Sequence, residues 1–106
     1  MKITRIDAHA VDVDGRSSWV FVQVHTDEGM HGLGEMNPSA PREKCLAALQ
    51  RLAAALQGRD PRCIEALSAM FEPAKLDRFE VHALSAIEQA LWDILGKWLE
   101  APVHAL

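Results

Sequence analysis

The spacing of apolar residues changes at about Glu35. Before this residue, apolar side chains recur at every second position, which is the period of a β-strand. After it, they recur every three to four positions, which is the period of an α-helix. Strands followed by helices are typical of the α+β class. We therefore predict a three-stranded antiparallel meander followed by a bundle of about three helices.

The clearest strand pattern covers residues 18–26, where three valines alternate with Phe21, Gln23 and His25. We predict that the valines face the core; they are Val20, Val22 and Val24. The sequence Asp-Glu-Gly at residues 27–29 predicts a tight turn, with its glycine at a position that needs positive φ. Residues 30–35 then return as an antiparallel partner.

The opening segment, residues 2–13, alternates less regularly and is predicted to be the first strand. Gly32 and Gly34 resemble half of a dinucleotide-binding fingerprint, but they lie inside a predicted strand and no third glycine follows. They indicate either close packing of the backbone or a β-bulge.

Two helices with conventional start and stop signals are predicted next. In the first, Ser39 is the N-cap and Gly58 ends the helix. Its buried stripe is Leu46, Leu49, Leu52, Ala53 and Leu56. Asp60 and Pro61 open the second helix, which Pro73 ends. Its buried face is Ile64, Leu67, Met70 and Phe71.

A third helix begins at the capping-box pattern formed by Asp77 and Glu80 and runs to about Glu100. It carries a stripe of large residues, which are Leu84, Ile87, Leu91, Leu95 and Trp98. The neighbouring stripe contains mostly small residues: Ala83, Ala86, Ala90 and Ile94. Because more than half of its circumference is apolar, we expect the helix to be covered on two sides.

The composition is that of one globular domain. The 106 residues are 49% hydrophobic and 25% charged, with eleven Lys and Arg against fifteen Asp and Glu. A net charge of −4 without a basic stripe argues against nucleic acid or an anionic membrane as a partner. No secretory signal or apolar run long enough to span a bilayer is present, so a cytoplasmic location is expected. Cys45 and Cys63 are predicted to be reduced core thiols.

Two groups of polar residues are candidates for chemistry. His25 and His31 flank the acidic turn, so a hairpin brings four candidate metal ligands near one another. Histidines at strand ends beside a solvated turn are the favoured interpretation. Glu88, Asp93 and Lys97 lie on one helical face, where an intrahelical ion pair is favoured.

Two segments resemble those of a known family. Residues 22–35, with the sequence VQVHTDEGMHGLGE, resemble the hairpin of the mandelate racemase and muconate lactonizing enzyme group of the enolase superfamily. Residues 86–97, with the sequence AIEQALWDILGK, and the Ala-Pro-Val of residues 101–103 resemble the last helix of that group's N-terminal domain and its exit. The second segment is the more specific, and the order and separation of the two also fit.

The resemblance implies that residues 1–106 form a capping domain, like the enolase N-terminal domain, without the (β/α) barrel. In that family the barrel binds Mg²⁺ and removes a proton α to a substrate carboxylate. No catalytic residue, metal ligand or cofactor is therefore assigned to this chain, which alone should be inactive. The full-length parent would be a lyase or isomerase. An acid-sugar dehydratase is favoured, with a racemase or cycloisomerase, or a free-standing binding or assembly module, as alternatives.

The same resemblance implies two substrate-facing loops, over residues 14–19 and 35–42. In these loops Arg16 would pair with a substrate carboxylate or hydroxyl, and Trp19 would form a wall of the pocket. Met36 and Asn37 would meet the far side of the substrate. The alternatives are that Arg16 is simply solvated and that Trp19 packs in the hairpin. The short first loop favours the open, polar pocket of an acid-sugar dehydratase.

The resemblance also implies partners: a C-terminal barrel, a small carboxylate such as a sugar acid, and other copies in a homo-oligomer. The alanine row of the third helix would dock on the barrel. In the isolated domain that row would be exposed, so we expect the domain to dimerise or swap elements through it.

Overall fold

The structure is a computed structural model that describes residues 1–13, 17–36, 41–100 and 104. Its strands are β1 (Ile3–Val13), β2 (Ser17–Thr26) and β3 (His31–Met36). Its helices are α1 (Arg42–Leu56), α2 (Ile64–Ser68) and α3 (Arg78–Leu99), with a 3₁₀ turn at Pro73–Lys75. The predicted α+β class, with an antiparallel meander before three helices, is confirmed.

The three strands form one antiparallel sheet in the order β1-β2-β3. Val24 of β2 lies between Ile6 of β1 and Gly32 of β3, and a register shift separates Ile3 from Arg5. The three valines of β2 are buried, as their alternation predicts. Gly29 has φ of +76°, which confirms the predicted role of the turn glycine.

β3 alternates between exposed and buried positions, and its buried glycines lie directly beneath α3. A Cβ on Gly32 would stand 2.0 Å from the carbonyl oxygen of Ala90, so only glycine allows the helix this close. The prediction that the glycine pair serves close backbone packing is confirmed.

The row of small residues on α3 faces this sheet. Ala83, Ala86, Ala90 and Ile94 are all buried in the core of the domain. The expectation that the row is free to dock on another domain, or to mediate dimerisation, is wrong, because the domain's own sheet already covers it. The large-residue stripe is only partly buried: Ile87 and Leu91 are in the core, whereas Trp98 is exposed.

Beside the alanine row, α3 carries polar side chains that form hydrogen bonds with backbone groups at the outer edge of β3. The backbone N–H of Leu33 donates to Asp93 Oδ2 at 2.9 Å, and Lys97 Nζ donates to the carbonyl of His31 at 2.6 Å. The side-chain amide of Gln89 makes two hydrogen bonds with Glu35. Its oxygen accepts from the backbone N–H of Glu35 at 3.1 Å, and its nitrogen donates to the backbone carbonyl of Glu35 at 3.5 Å. These bonds satisfy backbone groups that an edge strand would otherwise leave open.

The predicted ion pair on α3 is confirmed for Asp93 and Lys97, whose charged atoms are 3.1 Å apart. Glu88 takes no part in it. Its carboxylate instead accepts a hydrogen bond of 3.0 Å from the hydroxyl of Ser68 at the end of α2. The capping box of Asp77 and Glu80 is present, and Glu100, with φ of 55°, ends the helix.

α1 begins at Arg42, with Pro41 in the cap position and no side-chain cap hydrogen bond. The predicted cap, Ser39, lies outside the described residues. Gly58, with φ of +82°, follows the helix as predicted. Of the predicted stripe, Leu49, Leu52 and Leu56 are buried, and Cys45 and Ala48 join them.

The second helix is much shorter than predicted. Its α-helical part is only Ile64–Ser68, because Asp60 forms a local turn in place of a helical start. The Asp60 carboxylate accepts from the backbone N–H of Arg62 at 2.9 Å and pairs with the guanidinium of the same residue. Met70, predicted to be buried, is exposed.

The two cysteines are free, and they differ in environment. Cys45 is buried as predicted, and burial raises the pKa of its thiol, an effect that the charge of Arg78 partly opposes. Cys63 is exposed, so its predicted place in the core is wrong. It lies just before α2, on the segment that the Asp60 turn keeps out of the helix.

Candidate functional site

Both segments predicted to face the substrate leave the same end of the sheet. Val13 pairs with Ser17 at the mouth of the first hairpin, and Val20 pairs with Met36 at the end of β3. We call this end, formed by Val13, Ser17 and Met36, the loop end, and the opposite end, which carries the Asp-Glu-Gly turn, the turn end. The topology therefore brings the strand ends that border the two predicted loops to one end of the sheet, although the loops are about twenty residues apart in sequence.

The strands extend further into these segments than predicted. Residues 17–19 belong to β2 and residues 35 and 36 to β3, so the predicted loop ranges 14–19 and 35–42 are too wide. Regular strand pairing continues as far as Ser17 in β2 and Met36 in β3. Arg16 and Asn37 lie outside the described residues.

Trp19 lies on the face of the sheet turned away from the helices. Its side chain is 38% exposed and stands opposite Val11 of β1. Met36 points the other way and is 1% exposed, within the core. Because neighbouring strand positions point to opposite faces, the sheet brings Trp19 and Met36 to one end but not to one surface.

The loop end also carries a cation–aromatic cluster that the sequence analysis missed. Lys44 Nζ lies 5.4 Å from the ring centroid of Phe79, and the Arg78 guanidinium lies 4.8 Å from the same centroid. Since α1 and α3 both start here, the two cations lie near the positive ends of these helices. Asp77 and Glu80 cap α3 and offset part of that charge. In the sequence, this cluster is indicated only by a basic residue in the first turn of each helix, Lys44 in α1 and Arg78 in α3.

The histidine pair lies at the turn end, away from the predicted loops. The rings of His25 and His31 meet edge to face, with centroids 4.8 Å apart. His25 Nε2 is 2.9 Å from Asp7 Oδ2, an ion-pair distance without the alignment of a hydrogen bond. Across residues 1–13, 17–36, 41–100 and 104, no group of three or more His, Cys, Asp or Glu is arranged to hold a metal ion. The described side chains therefore do not fit a Mg²⁺ centre.

Comparison with known families decides what this domain is. Residues 4–106 match the family model described as mandelate racemase / muconate lactonizing enzyme, N-terminal domain. The chain belongs to this family. The resemblance of residues 22–35 and 86–97 to its members is thereby confirmed, and the observed fold is that of the enolase N-terminal capping domain.

Individual relatives are similar along the whole chain. The D-galactonate dehydratase of Ralstonia nicotianae is 37% identical over 109 residues, which cover 100% of this chain and 28% of that protein. An enolase structure from Agrobacterium radiobacter with bound sodium and L-malate has a TM-score of 0.84 and 30% identity, covering 99% of this chain and 27% of that one. A mandelate racemase subgroup structure from Agrobacterium tumefaciens has a TM-score of 0.82 and 37% identity, covering 99% and 29%.

The chain thus spans about 28% of the length of the curated relatives that it matches. Full-length relatives contain a larger C-terminal domain after the part that corresponds to this chain. Among the described residues, no helix is both long and apolar enough to cross a membrane.

Proposed function

We propose that residues 1–106 are the capping domain of an acid-sugar dehydratase of the enolase superfamily, and that a catalytic barrel follows in the full-length protein. The observation that carries the proposal is the 37% identity to D-galactonate dehydratases over the entire chain. The position of the strand ends that border both predicted loops, at one end of the sheet, supports it, because a lid needs its loops on one side of a rigid frame.

In this proposal the capping domain closes the active site and excludes water from it. Arg16 pairs with a carboxylate or hydroxyl of the sugar acid, Trp19 forms a wall of the pocket, and Asn37 meets the far side. Met36, which was also predicted to meet the far side, is buried in the core at the end of β3, so in this proposal it supports the strand and does not itself contact the substrate. Lys44 and Arg78 add positive charge at the same end, which favours an anionic substrate.

The reaction would be the loss of water from the sugar acid, by removal of the proton α to the carboxylate and departure of the β-hydroxyl. Mg²⁺ bound to the barrel would supply stabilisation of the enediolate. The described residues offer no site for this ion, so all metal and acid–base chemistry is assigned to the C-terminal domain. The 106-residue chain alone is then inactive, and the full-length lyase acts in the cytoplasm as a homo-oligomer.

The test is an activity screen of the full-length protein. We expect D-galactonate or another six-carbon sugar acid to be converted to the 2-keto-3-deoxy acid in a reaction that needs Mg²⁺, and the 106-residue chain to be inactive. Racemisation of mandelate or cycloisomerisation of muconate would instead support the alternative chemistries. A stop codon directly after Leu106 would contradict the proposal and favour a free-standing module.

A matched pair of arginine variants tests the lid. We expect Arg16→Met to raise KM for the sugar acid by about tenfold, the effect of losing one charge-assisted hydrogen bond. Arg5→Met is the control, because Arg5 is exposed near the turn end and pairs with Asp7 at 2.8 Å. Equal KM values for both variants would exclude Arg16 from the substrate pocket.

A further inference from the structure

The two outer edges of the sheet differ in how they are covered. The edge of β3 is covered, because its backbone groups form hydrogen bonds with side chains of α3. β1 is the other edge strand. At its turn end, the N–H of Ile3 donates to the carbonyl of Arg59, and its carbonyl accepts from the N–H of Gly58. Within the described part of the chain, no other backbone group of β1 has an outward hydrogen bond. A long edge strand without cover readily pairs with another strand.

The direction of the open backbone groups follows from the strand register. The N–H of Thr26 donates to the carbonyl of Met30, so even-numbered residues of β2 bond toward β3 and odd-numbered residues bond toward β1. After the register shift near the start of β1, odd-numbered residues of β1 lie opposite odd-numbered residues of β2. The even-numbered residues of β1 therefore direct their N–H and C=O groups away from the sheet. Those of the well-covered middle part of the strand are Ile6, Ala8 and Ala10.

The side chains of these three residues lie on the helix side of the sheet but are incompletely covered. Ile6 and Ala8 are partly buried, and Ala10 is exposed. Beside Ile6, a groove of about 320 Å³ lies between β1 and α1, with Ala53 and Ala54 in its lining. Charged side chains and proline, which usually keep edge strands apart, do not occur at these three positions. The edge is therefore open, and it is apolar on its helix side.

The order of residues along β1 fits a second copy of the same strand. When two copies pair antiparallel about Ala8, each Ala8 lies opposite the other, and Ile6 lies opposite Ala10. Each of these pairs exchanges two N–H···O bonds, so the two strands share about six backbone hydrogen bonds. On the helix side, only small or apolar side chains meet across the contact.

Charges also match across this contact, on the face of the sheet turned away from the helices. Asp7 of each copy lies opposite His9 of the other, and the symmetry makes this pair occur twice. Within one copy, Asp7 pairs through Oδ2 with Arg5 and His25, and His9 Nε2 lies 3.2 Å from the side-chain oxygen of Gln23. The other carboxylate oxygen of Asp7 and Nδ1 of His9 are therefore available to each other between the copies.

The neighbouring antiparallel registers lack this match. Pairing about Ile6 would bring the second copy against the segment that already covers Ile3. Pairing about Ala10 would place Asp7 opposite Val13 and leave its carboxylate without a basic residue across the contact. The match is thus specific to one register.

We propose that the open edge of β1 is an interface between two copies of the protein, which pair antiparallel about Ala8 and join their three-stranded sheets into one. The occupant is a second copy because the edge complements itself in both charge and side-chain size. The contact belongs to the homo-oligomer of the proposed function, so it rests on that part of the proposal and not on the reaction.

Hydrogen exchange of the full-length protein, resolved to single amides by mass spectrometry, tests the edge without any substitution. The odd-numbered amides of β1 bond to β2 in every state and serve as the internal control. We expect the amides of Ile6, Ala8 and Ala10 to exchange at least about tenfold more slowly in the oligomer than in the monomer obtained by dilution. Fast exchange of these amides in the oligomer would overturn the proposal. Equal protection in the monomer would also contradict it, because another segment of the same chain would then cover the edge.

Disulfide cross-linking tests the register in a full-length protein that carries Cys63→Ser. We expect Ala8→Cys to form a disulfide-linked dimer under mild oxidation, since the two opposing Cα atoms would be about 5.5 Å apart. Ala10→Cys is the matched control, because its two copies would lie four positions apart along the strand, about 13 Å and beyond disulfide reach. Ala10 is also the more exposed of the two, so random collisions would favour the control. A dimer yield for Ala8→Cys that is no higher than that of Ala10→Cys would contradict the register.

Ala8→Pro tests the consequence for assembly. Because the N–H of Ala8 points out of the sheet, proline removes hydrogen bonds from the proposed contact and none from the pairing of β1 with β2. We expect the dissociation constant of the oligomer, measured by sedimentation, to rise at least about tenfold. An unchanged constant would contradict the interface. Absence of dehydratase activity in a protein that cross-links through Ala8→Cys would contradict only the proposed function.

Discussion

Gly34 on β3 lies against the backbone of Ala86 on α3 so closely that no side chain fits between them. A Cβ placed on Gly34 would be 1.9 Å from the Ala86 carbonyl oxygen and 2.8 Å from its carbonyl carbon. The backbone of Gly34 does not have the positive φ found at Gly29 and Gly58. The requirement for glycine thus comes entirely from the contact between helix and sheet.

The first prediction concerns this contact. Gly34→Ala should lower the free energy of unfolding by about 3 kcal/mol, because the methyl group must push α3 away from the sheet. Urea unfolding followed by circular dichroism measures the change. Gly29→Ala is the control: its Cβ meets nothing within 4 Å, and only the positive φ is strained, at a cost of about 1 kcal/mol. A larger loss at Gly29 than at Gly34 would contradict this account.

The second prediction concerns the edge of β3, where side chains of α3 form hydrogen bonds with the backbone of the strand. Asp93→Ala should reduce stability by about 1 kcal/mol, because it removes the acceptor of the Leu33 N–H and the partner of Lys97. Hydrogen exchange gives a local readout: the Leu33 amide should exchange faster. Asp93→Asn keeps an acceptor oxygen and should restore much of the protection. Unchanged exchange at Leu33 in the alanine variant would mean that the bond does not protect the strand.

The third prediction concerns the start of α3. The Asp77 carboxylate accepts from the N–H of Glu80 at 2.8 Å, and Glu80 Oε1 accepts from the N–H of Asp77 at 3.2 Å. Asp77→Ala should cost about 1 kcal/mol, because the N–H of Glu80 loses its partner. Asp77→Asn, which retains a cap acceptor, should cost clearly less. Thermal unfolding of both variants compares them, and equal losses would point to charge, not capping, as the main effect.

The fourth prediction concerns acid stability. The side-chain hydrogen bonds from Arg62 lower the pKa of Asp60 from 3.8 to about 2. Because the folded state holds the carboxylate ionised to lower pH than the unfolded chain does, the pair stabilises the fold above about pH 4. This contribution disappears as the pH falls from about 4 to 2.

Asp60→Asn tests this dependence. The variant should be less stable than the parent at pH 6, and the difference in urea midpoint should shrink when both are measured near pH 2. Because the other carboxyls titrate alike in the two proteins, the difference isolates Asp60. A difference that is the same at both pH values would contradict the proposed role of the ion pair.

The parts of the fold that depend on neighbouring residues were predicted from the sequence. The alternation of Val20, Val22 and Val24 identified the central strand, and Asp77 with Glu80 identified the start of α3. Such patterns are predictive because the side-chain period and the cap hydrogen bonds arise within a few residues. The second helix was overestimated because its apolar spacing continues past the end of the real helix, while the Asp60 side chain organises a turn at its predicted start.

Some features of the candidate site were also predicted from the sequence, whereas others depend on the tertiary structure. Resemblance to a family indicated which segments face a substrate, but it did not indicate that Trp19 and Met36 point to opposite faces of the sheet. Arg78 contacts its neighbour in sequence, Phe79, but Lys44 reaches the same ring only because α1 and α3 begin at one end of the fold. The basic residue in the first turn of each helix is visible in the sequence, whereas a contact between residues more than thirty positions apart, such as Lys44 and Phe79, is not.

By itself, the sequence determined an α+β domain whose last helix is too apolar to have only one covered side. The tertiary structure decided which side is covered. Two glycines on β3 let the alanine row of α3 approach the sheet, and backbone groups at the edge of β3 form hydrogen bonds with Gln89, Asp93 and Lys97. As a result, Trp92 and Leu99 point away from the sheet. The size of a side chain does not indicate which partner it meets, because that depends on how closely the opposing backbone can approach.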